Sequence, residues 1–331
     1  MAGEPLAEEE RLAPDEAFSI LGNETRVEIL RALGEAGEPL AFSTLYDRVE
    51  AANSAQFNYH LDKAVGHFVE RAGEKYRLAP AGERVVEAVL SGAVTDQPET
   101  RRTPVDVSCH YCGGSVETAW RAGGLDLYCT ECAGRYGGSP RLDETDRSVE
   151  GYLGRHPFPP AGVRNRTPSE AVCASWTWGN LEVLALASGL CPRCGATVDR
   201  SVSVCDDHES EGVCGTCDGR YAVTATFDCT NCIHSTGGDP IVALAATTEL
   251  FALLAGNGYN PVDPDSLTRV EAVHGGYEET IHSRDPLRAD YTFAVEGDRL
   301  TLSVDESLRV IDSHRATADP APDPDGRESA D

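Results

Sequence analysis

Lysine is almost absent from this chain of 331 residues: Lys63 and Lys75 are the only two, and every other basic residue is arginine. Basic charge as a whole is scarce, 28 residues against 55 acidic ones, for a formal charge of -27. So acidic and lysine-poor a surface fits a protein that stays soluble in molar salt, where the Debye length is about 3 Å and like charges no longer repel. Long apolar runs are missing too. The longest, Leu181 to Leu190, is broken by Glu182 and Ser188, too short and too polar for a span of about 20 apolar residues. The opening MAGEPLAEEERL is acidic and has no basic segment ahead of an apolar one, so no secretory signal is expected and the location is read as cytoplasmic. A phosphate-binding glycine loop, a G-x-S-x-G turn and a nucleophile–base set are all lacking, and the chain is read as a non-enzyme.

Cysteine is what the sequence has instead. Ten of its twelve cysteines form five C-x-x-C pairs, which in a chain without a signal reads as reduced, metal-binding thiols rather than disulfides. Cys109-x-x-Cys112 and Cys129-x-x-Cys132 have the spacing of a zinc ribbon, in which a hairpin brings two knuckles to one tetrahedral ion. A second cluster holds Cys191, Cys194, Cys205, His208, Cys214, Cys217, Cys229 and Cys232. The simplest count is about three zinc ions, two with four Cys and one with three Cys and His208. Cys205 lacks an x-x-Cys partner, which makes His208 a ligand; the bland alternative is a solvated acidic loop. In sequential pairing, 191/194 joins 205/208 and 214/217 joins 229/232. Interleaved pairing, 191/194 with 214/217 and 205/208 with 229/232, is the alternative. Cys173 is expected to be a small buried residue. His156, His274 and His282 have no ligand spacing and are read as surface or packing residues. Closed four-ligand sites are structural by default; a sensory role would need an exposed, reactive thiolate.

Residues 16–92 show a compact helical pattern. One helix ends at Leu21-Gly22-Asn23, and Asn23 is placed to cap the next, which buries Val27, Leu30 and Leu33. Gly34 and Gly37-Glu38-Pro39 are expected to break it. A short helix with Phe42, Leu45, Tyr46 and Val49 inward follows. Asn53-Ser54-Ala55-Gln56 then has the form of a capping box. The helix it opens is expected to reach about Val69, with Phe57, Leu61, Ala64, Val65 and Phe68 inward and Gln56, Asn58, Tyr59, Asp62 and Lys63 outward. A hairpin turning near Gly73 comes next, then a helix from Glu83 to Leu90.

This order is that of a winged helix-turn-helix, whose second helix fits the major groove of DNA. Gln56 and Asn58 are candidates for base edges. Tyr59, His60, Lys63 and the hairpin's Lys75 are candidates for phosphates or bases. Residues 40–82 carry as many basic as acidic side chains, including both lysines, a neutral patch in a chain that otherwise repels phosphate. A winged helix that contacts only protein is the alternative.

The run Phe18-Ser19-Ile20-Leu21-Gly22-Asn23-Glu24-Thr25-Arg26-Val27-Glu28-Ile29-Leu30, with Gln56-Phe57-Asn58-Tyr59-His60-Leu61-Asp62-Lys63, resembles the winged-helix domain of ArsR-type regulators from halophilic archaea. The resemblance implies a transcription factor, commonly a homodimer on a palindromic double-stranded DNA site. ArsR-type metal sensors carry Cys or His ligands on that domain, whereas residues 16–92 contain no Cys. The cysteine-rich remainder resembles regions fused to such domains in these organisms.

The fold class expected is therefore α+β: a winged helix, zinc-ribbon hairpins and a small α+β C-terminal domain. The expected boundaries are an acidic lead-in (1–15), the winged helix (16–92), a linker (93–108), a first zinc ribbon (109–140) and a connecting segment with a helix over 168–188 (141–190). Tandem zinc ribbons (191–234), the α+β domain (235–312) and a disordered acidic tail (313–331) follow. Within them, Thr167-Pro168-Ser169-Glu170 is a strong helix start, Asp239-Pro240 opens a helix through Leu254, and Gly297-Asp298 turns a hairpin. The function expected is a sequence-specific regulator working in high salt, with a small-molecule or redox effector possible. A zinc-ribbon adaptor that binds protein is the second expectation.

Overall fold

A computed structural model describes residues 12–96, 99–121, 123–136, 150–209, 211–263 and 265–316. The chain is a mixture of helices and antiparallel sheets, and it divides after Asp96 into two compact units. Among the described residues no helix is long and apolar enough to cross a membrane. Most of the acidic lead-in, and the tail beyond Ala316, lie outside the described residues.

The first unit contains α1 (Pro14–Leu21), α2 (Glu24–Ala36), β1 (Leu40–Ala41), α3 (Phe42–Tyr46), α4 (Ser54–Ala64), β2 (Val69–Ala72), β3 (Lys75–Leu78) and α5 (Pro80–Leu90). The strands form a sheet in the order β1-β3-β2. Ile29, Leu30, Leu33, Leu45, Phe57, Leu61 and Phe68 fill the core beneath. Gly34 does not break α2; the helix runs through it to Ala36 and ends at Gly37, which is left-handed at φ 65°. A glycine is needed at 34 because α5 lies against it: a Cβ there would stand 2.8 Å from Val86 Cγ1. Asn23 occupies the N-cap of α2 but makes no side-chain cap bond. Asn53 does cap α4, its Oδ1 accepting the Gln56 N–H at 2.9 Å.

α4 stops at Ala64 rather than near Val69. Val65 turns extended and Gly66 takes φ 91°. This reversal frees Val69 to pair with Leu78 while Phe68 still enters the core. The hairpin turns at Gly73, φ 66°, as the pattern predicts.

The second unit opens with β4 (Thr103–Ser108), β5 (Ser115–Arg121), β6 (Gly124–Cys129) and β7 (Tyr152–Pro157), a four-stranded sheet in that order. The last six residues of the expected linker are thus a strand. Its composition hid this, because β4 is an edge strand that buries none of its residues. After α6 (Pro160–Val163) comes α7 (Pro168–Ala187), which packs on this sheet through Val172 and Trp176. Its start carries the full reciprocal capping box between Thr167 and Glu170.

β8 (Val198–Val204), β9 (Val223–Cys229) and β10 (Ser235–Gly238) make a second sheet, ordered β10-β9-β8. The single helix expected from Asp239-Pro240 to Leu254 is instead α8 (Ile241–Leu244) and α9 (Thr248–Gly256). The Asp239 side chain does not cap; it is held by Arg135 at 2.6 Å. α10 (Leu267–Gly275) leads into β11 (Glu278–Arg284), β12 (Leu287–Val295), β13 (Asp298–Val304) and β14 (Val310–Ala316), an antiparallel meander. Its alternate residues Tyr291, Phe293, Leu300 and Leu302 are buried, as the hairpin pattern predicts. β14 runs on to Ala316, through the first residues assigned by sequence to the tail.

One buried ion pair ties β6 to β7. Arg155 donates from Nε and Nη2 to the two carboxylate oxygens of Asp126, at 2.8 and 2.7 Å, and the Asp126 side chain is wholly buried. Removing one partner of such a pair strands the other charge without water. Arg155→Met is therefore expected to destabilise the second unit by about 3–5 kcal/mol in denaturant unfolding, and Arg155→Met with Asp126→Leu to recover most of that loss. Equal stability of wild type and Arg155→Met would show that the pair is not desolvated.

Candidate metal centres

Three of the five C-x-x-C knuckles of the second unit, those opened by Cys109, Cys191 and Cys214, are built on one repeated turn. The N–H of Gly113 donates to the Cys109 carbonyl at 2.7 Å and that of Cys109 to Gly114 at 2.9 Å; Gly195 and Cys191, then Asp218 and Cys214, repeat the pattern. In these three the residue after the second cysteine is left-handed: Gly113 at φ 75°, Gly195 at 73° and Asp218 at 53°. Glycine and aspartate are among the residues that enter this region most readily. The turn also aims backbone N–H groups at sulfur, as from Gly114 to Cys112 Sγ (3.4 Å), Thr216 to Cys214 Sγ (3.4 Å) and Asn231 to Cys229 Sγ (3.4 Å). Such bonds stabilise a thiolate. N–H donors from Glu209, Thr216 and Cys217 hold the Cys214 thiol down at about 6; those from Cys232 and Asn231 hold Cys229 at about 6.

The knuckles converge in three groups, each with its ligand atoms within 4.8 Å of one another. In the first, Cys109 and Cys112 lie in the β4–β5 loop, and Cys129 and Cys132 at and beyond the end of β6. The register Val116↔Cys129 puts those two ends together. Sγ separations are 3.8 Å for Cys109–Cys132 and 3.5 Å for Cys112–Cys129. A disulfide needs about 2.05 Å; four sulfurs about 2.3 Å from one tetrahedral ion lie about 3.8 Å apart.

The second cluster is paired in neither of the two ways the sequence left open. Cys191 and Cys194 meet Cys229 and Cys232, with Sγ separations of 3.7 Å (Cys191–Cys232) and 3.4 Å (Cys194–Cys229). Cys205, His208, Cys214 and Cys217 form the third group. The arrangement is nested, and the β8–β9 register is the cause. The strands zip from Val198↔Cys229 to Val204↔Val223, so the segments outside the hairpin meet at one end and the loop between the strands closes on itself at the other. His208 belongs to the inner group. Its Nε2 donates to the Arg220 carbonyl at 3.2 Å. A carbonyl only accepts, which leaves Nδ1, 3.4 Å from Cys217 Sγ, as the ring atom that faces the cysteines. This is the outer partner that a metal-ligating histidine requires. Cys173, half-buried on α7, joins no group.

Several residues that bind the centres together carry no sequence signal. Arg220 donates from Nε to the Gly134 carbonyl, just past the first centre's last cysteine, and its guanidinium lies 4.2 Å over the ring of Tyr111, between the first centre's two leading cysteines. Its own carbonyl holds His208. Arg220 thus touches two centres, and its local sequence, D-G-R-Y, says nothing of either. Arg135 is buried against Asp239 (2.6 Å) and Glu271 (3.8 Å). His156 is a packing residue; its Nε2 accepts the Trp176 indole N–H at 2.7 Å. Burial, with the Arg135 charge, pushes His156 down to about 3 and keeps it neutral.

In the first unit, Gln56, Asn58, Tyr59, Lys63 and Lys75 are all exposed. Asn58 Nδ2 donates to Asp62 at 2.9 Å, and the Lys63 ammonium stands 5.8 Å from the Tyr59 ring centroid. His60 points the other way: it is 7% exposed, and burial lowers its proton affinity. It is a core residue, removed from the candidate contact set.

Residues 14–89 match a family described as a domain of unknown function, DUF7347. Residues 106–310 match another, the domain of unknown function DUF7351. The second match spans more than half of the chain, and the chain belongs to that family. Neither a curated protein nor a solved structure matches it.

Double substitutions separate the three pairings by metal count. Cys191→Ser with Cys229→Ser is expected to remove one metal equivalent, because both residues serve the outer group, and Cys191→Ser with Cys205→Ser to remove two. Sequential pairing reverses those results, and interleaved pairing loses two in both.

Proposed function

We propose that the chain is a sequence-specific DNA-binding transcriptional regulator whose second unit is held together by three zinc ions. The observation that carries the proposal is α4. It leaves Gln56, Asn58, Tyr59 and Lys63 exposed, while its opposite face, Phe57, His60, Leu61 and Ala64, is fully buried. Helix, short helix, turn, second helix and hairpin follow in the order of a winged helix, with α4 as the groove-reading helix and Lys75 on the wing. The ArsR-type resemblance supports the same assignment.

Side-chain amides at Gln56 and Asn58 suit adenine edges, and Lys63 and Lys75 suit phosphates. Asn58 would exchange its bond to Asp62 for one to a base. In molar salt counterion release contributes little, so base and shape contacts would carry the affinity. A homodimer on a palindrome is part of the proposal. Its support is α1, which buries none of its residues and leaves Phe18 73% exposed. The all-Cys and Cys3His ligand sets, at tetrahedral spacing, favour zinc over hard cations that take oxygen. Closed four-ligand sets leave no position for an activated water, which supports a structural and non-enzymatic role. The acidic, lysine-poor composition supports a salt-rich cytoplasm as its setting.

The test is footprinting of the full chain on genomic DNA in molar potassium chloride, with elemental analysis of the same preparation. Protected sites and about three equivalents of zinc are expected. Gln56→Ala with Asn58→Ala is expected to cut the ratio of specific to non-specific affinity about tenfold or more, and Lys63→Ala with Lys75→Ala to weaken all sequences alike. A folded, metal-loaded chain that protects no DNA would overturn the regulator and leave the protein-binding adaptor.

A further inference from the structure

The second unit has a cavity of about 490 Å³ where the end of α7, strand β8, the α8–α9 turn and the β13–β14 turn meet. That volume lies in the usual range for small-molecule sites. Its floor is apolar, including Leu186, Val198, Ala243 and Leu308. Two arginines, Arg200 and Arg309, stand on its rim.

These two differ from their neighbours. Arg193, Arg288, Arg299 and Arg315 each hold a carboxylate at 2.7–2.9 Å. Among the described residues, no carboxylate lies within ion-pair distance of Arg200 or Arg309. Arg200 rests over the Phe227 ring at 5.3 Å and donates from Nη1 to the Ser307 carbonyl at 3.0 Å. The nearest acid, Asp305, has its Oδ1 taken by the N–H groups of Ser307 and Arg309 and by the Ser307 hydroxyl. That capped turn holds Leu308 left-handed at φ 58°, with its side chain buried in the floor and Arg309 on the rim. Burial and then the Arg309 charge lower the proton affinity of Arg200, and Asp305 only partly opposes them. Thr247, also on the wall, spends its hydroxyl on the Leu244 carbonyl, so no side chain caps the first-turn N–H groups of α9.

We propose that this cavity binds a small amphipathic anion, a carboxylate with an aliphatic tail. The head sits between Arg200 and Arg309, whose planar forks match a carboxylate, and the tail lies on the apolar floor. The site stands wholly within the second unit and its occupancy is read without DNA, so it does not depend on the proposed DNA binding.

The experiment is isothermal titration calorimetry of the full, metal-loaded chain in molar potassium chloride, with octanoate as probe and acetate and octanol as controls. Octanoate is expected to bind at one site, with acetate and octanol each at least about tenfold weaker, since each lacks one half of the recognition. Arg309→Gln is expected to weaken octanoate at least about tenfold with metal content unchanged. Arg309 donates no side-chain hydrogen bond to any described residue, so the variant should fold; Arg200→Gln is the second variant. Absence of octanoate binding, equal binding of octanoate and octanol, or full affinity in Arg309→Gln would each overturn the proposal.

Discussion

The second unit depends on the zippering of β8 against β9. That one antiparallel register decides which cysteines meet. The segments flanking the strands are poorly covered: at one end Cys194 and Gly195 are exposed, and at the other Asp206, Asp207, Glu209, Glu211 and Gly212 are exposed. The core reaches Tyr221, Val223 and Phe227 on and beside β9, apolar side chains worth about 1.5–3 kcal/mol each when fully buried, and the knuckles lie outside that cluster. Metal held by the knuckles at both ends would add to what that core supplies.

The same logic joins the centres to their surroundings. The inner group's histidine is oriented by Arg220, and Arg220 in turn clamps both knuckles of the first centre through Gly134 and Tyr111. The first and third centres therefore share a positioning residue, whereas Cys191–Cys232 stands apart from it.

The cysteine spacings made the members of the three groups legible residue by residue, because C-x-x-C is a local turn that brings two sulfurs to one side of the chain. Which knuckles pair was not legible. That depends on strand register, and the stretch 197–229 alternates well enough to form a hairpin without saying where its ends fall. Thr167 and Glu170 announced α7 because their capping bonds are three residues apart. Asp239 misled because its partner, Arg135, is more than a hundred residues away in the chain. β4 was read as linker because the Pro, Thr and charge around it outweighed its two alternate valines, Val105 and Val107, which pack on the core. On α4 the outward and inward faces were legible from periodicity, except at His60, where polarity argued for the surface and the 3.6-residue period, correctly, for the core.

Nesting also sets an order of assembly. Cys205 to Cys217 is a short loop, whereas Cys191 and Cys232 are 41 positions apart. Bringing the outer ends together in an open chain costs about 1 kcal/mol more closure entropy than the inner ends. Once the inner ion is in place and the strands have zipped, the outer knuckles are already delivered to each other and that difference disappears. Metal would be taken up from the inside outward and given up from the outside inward, so that in a cell short of the ion the outer clasp, which holds the exposed Cys194, opens while the hairpin stays closed at its tip.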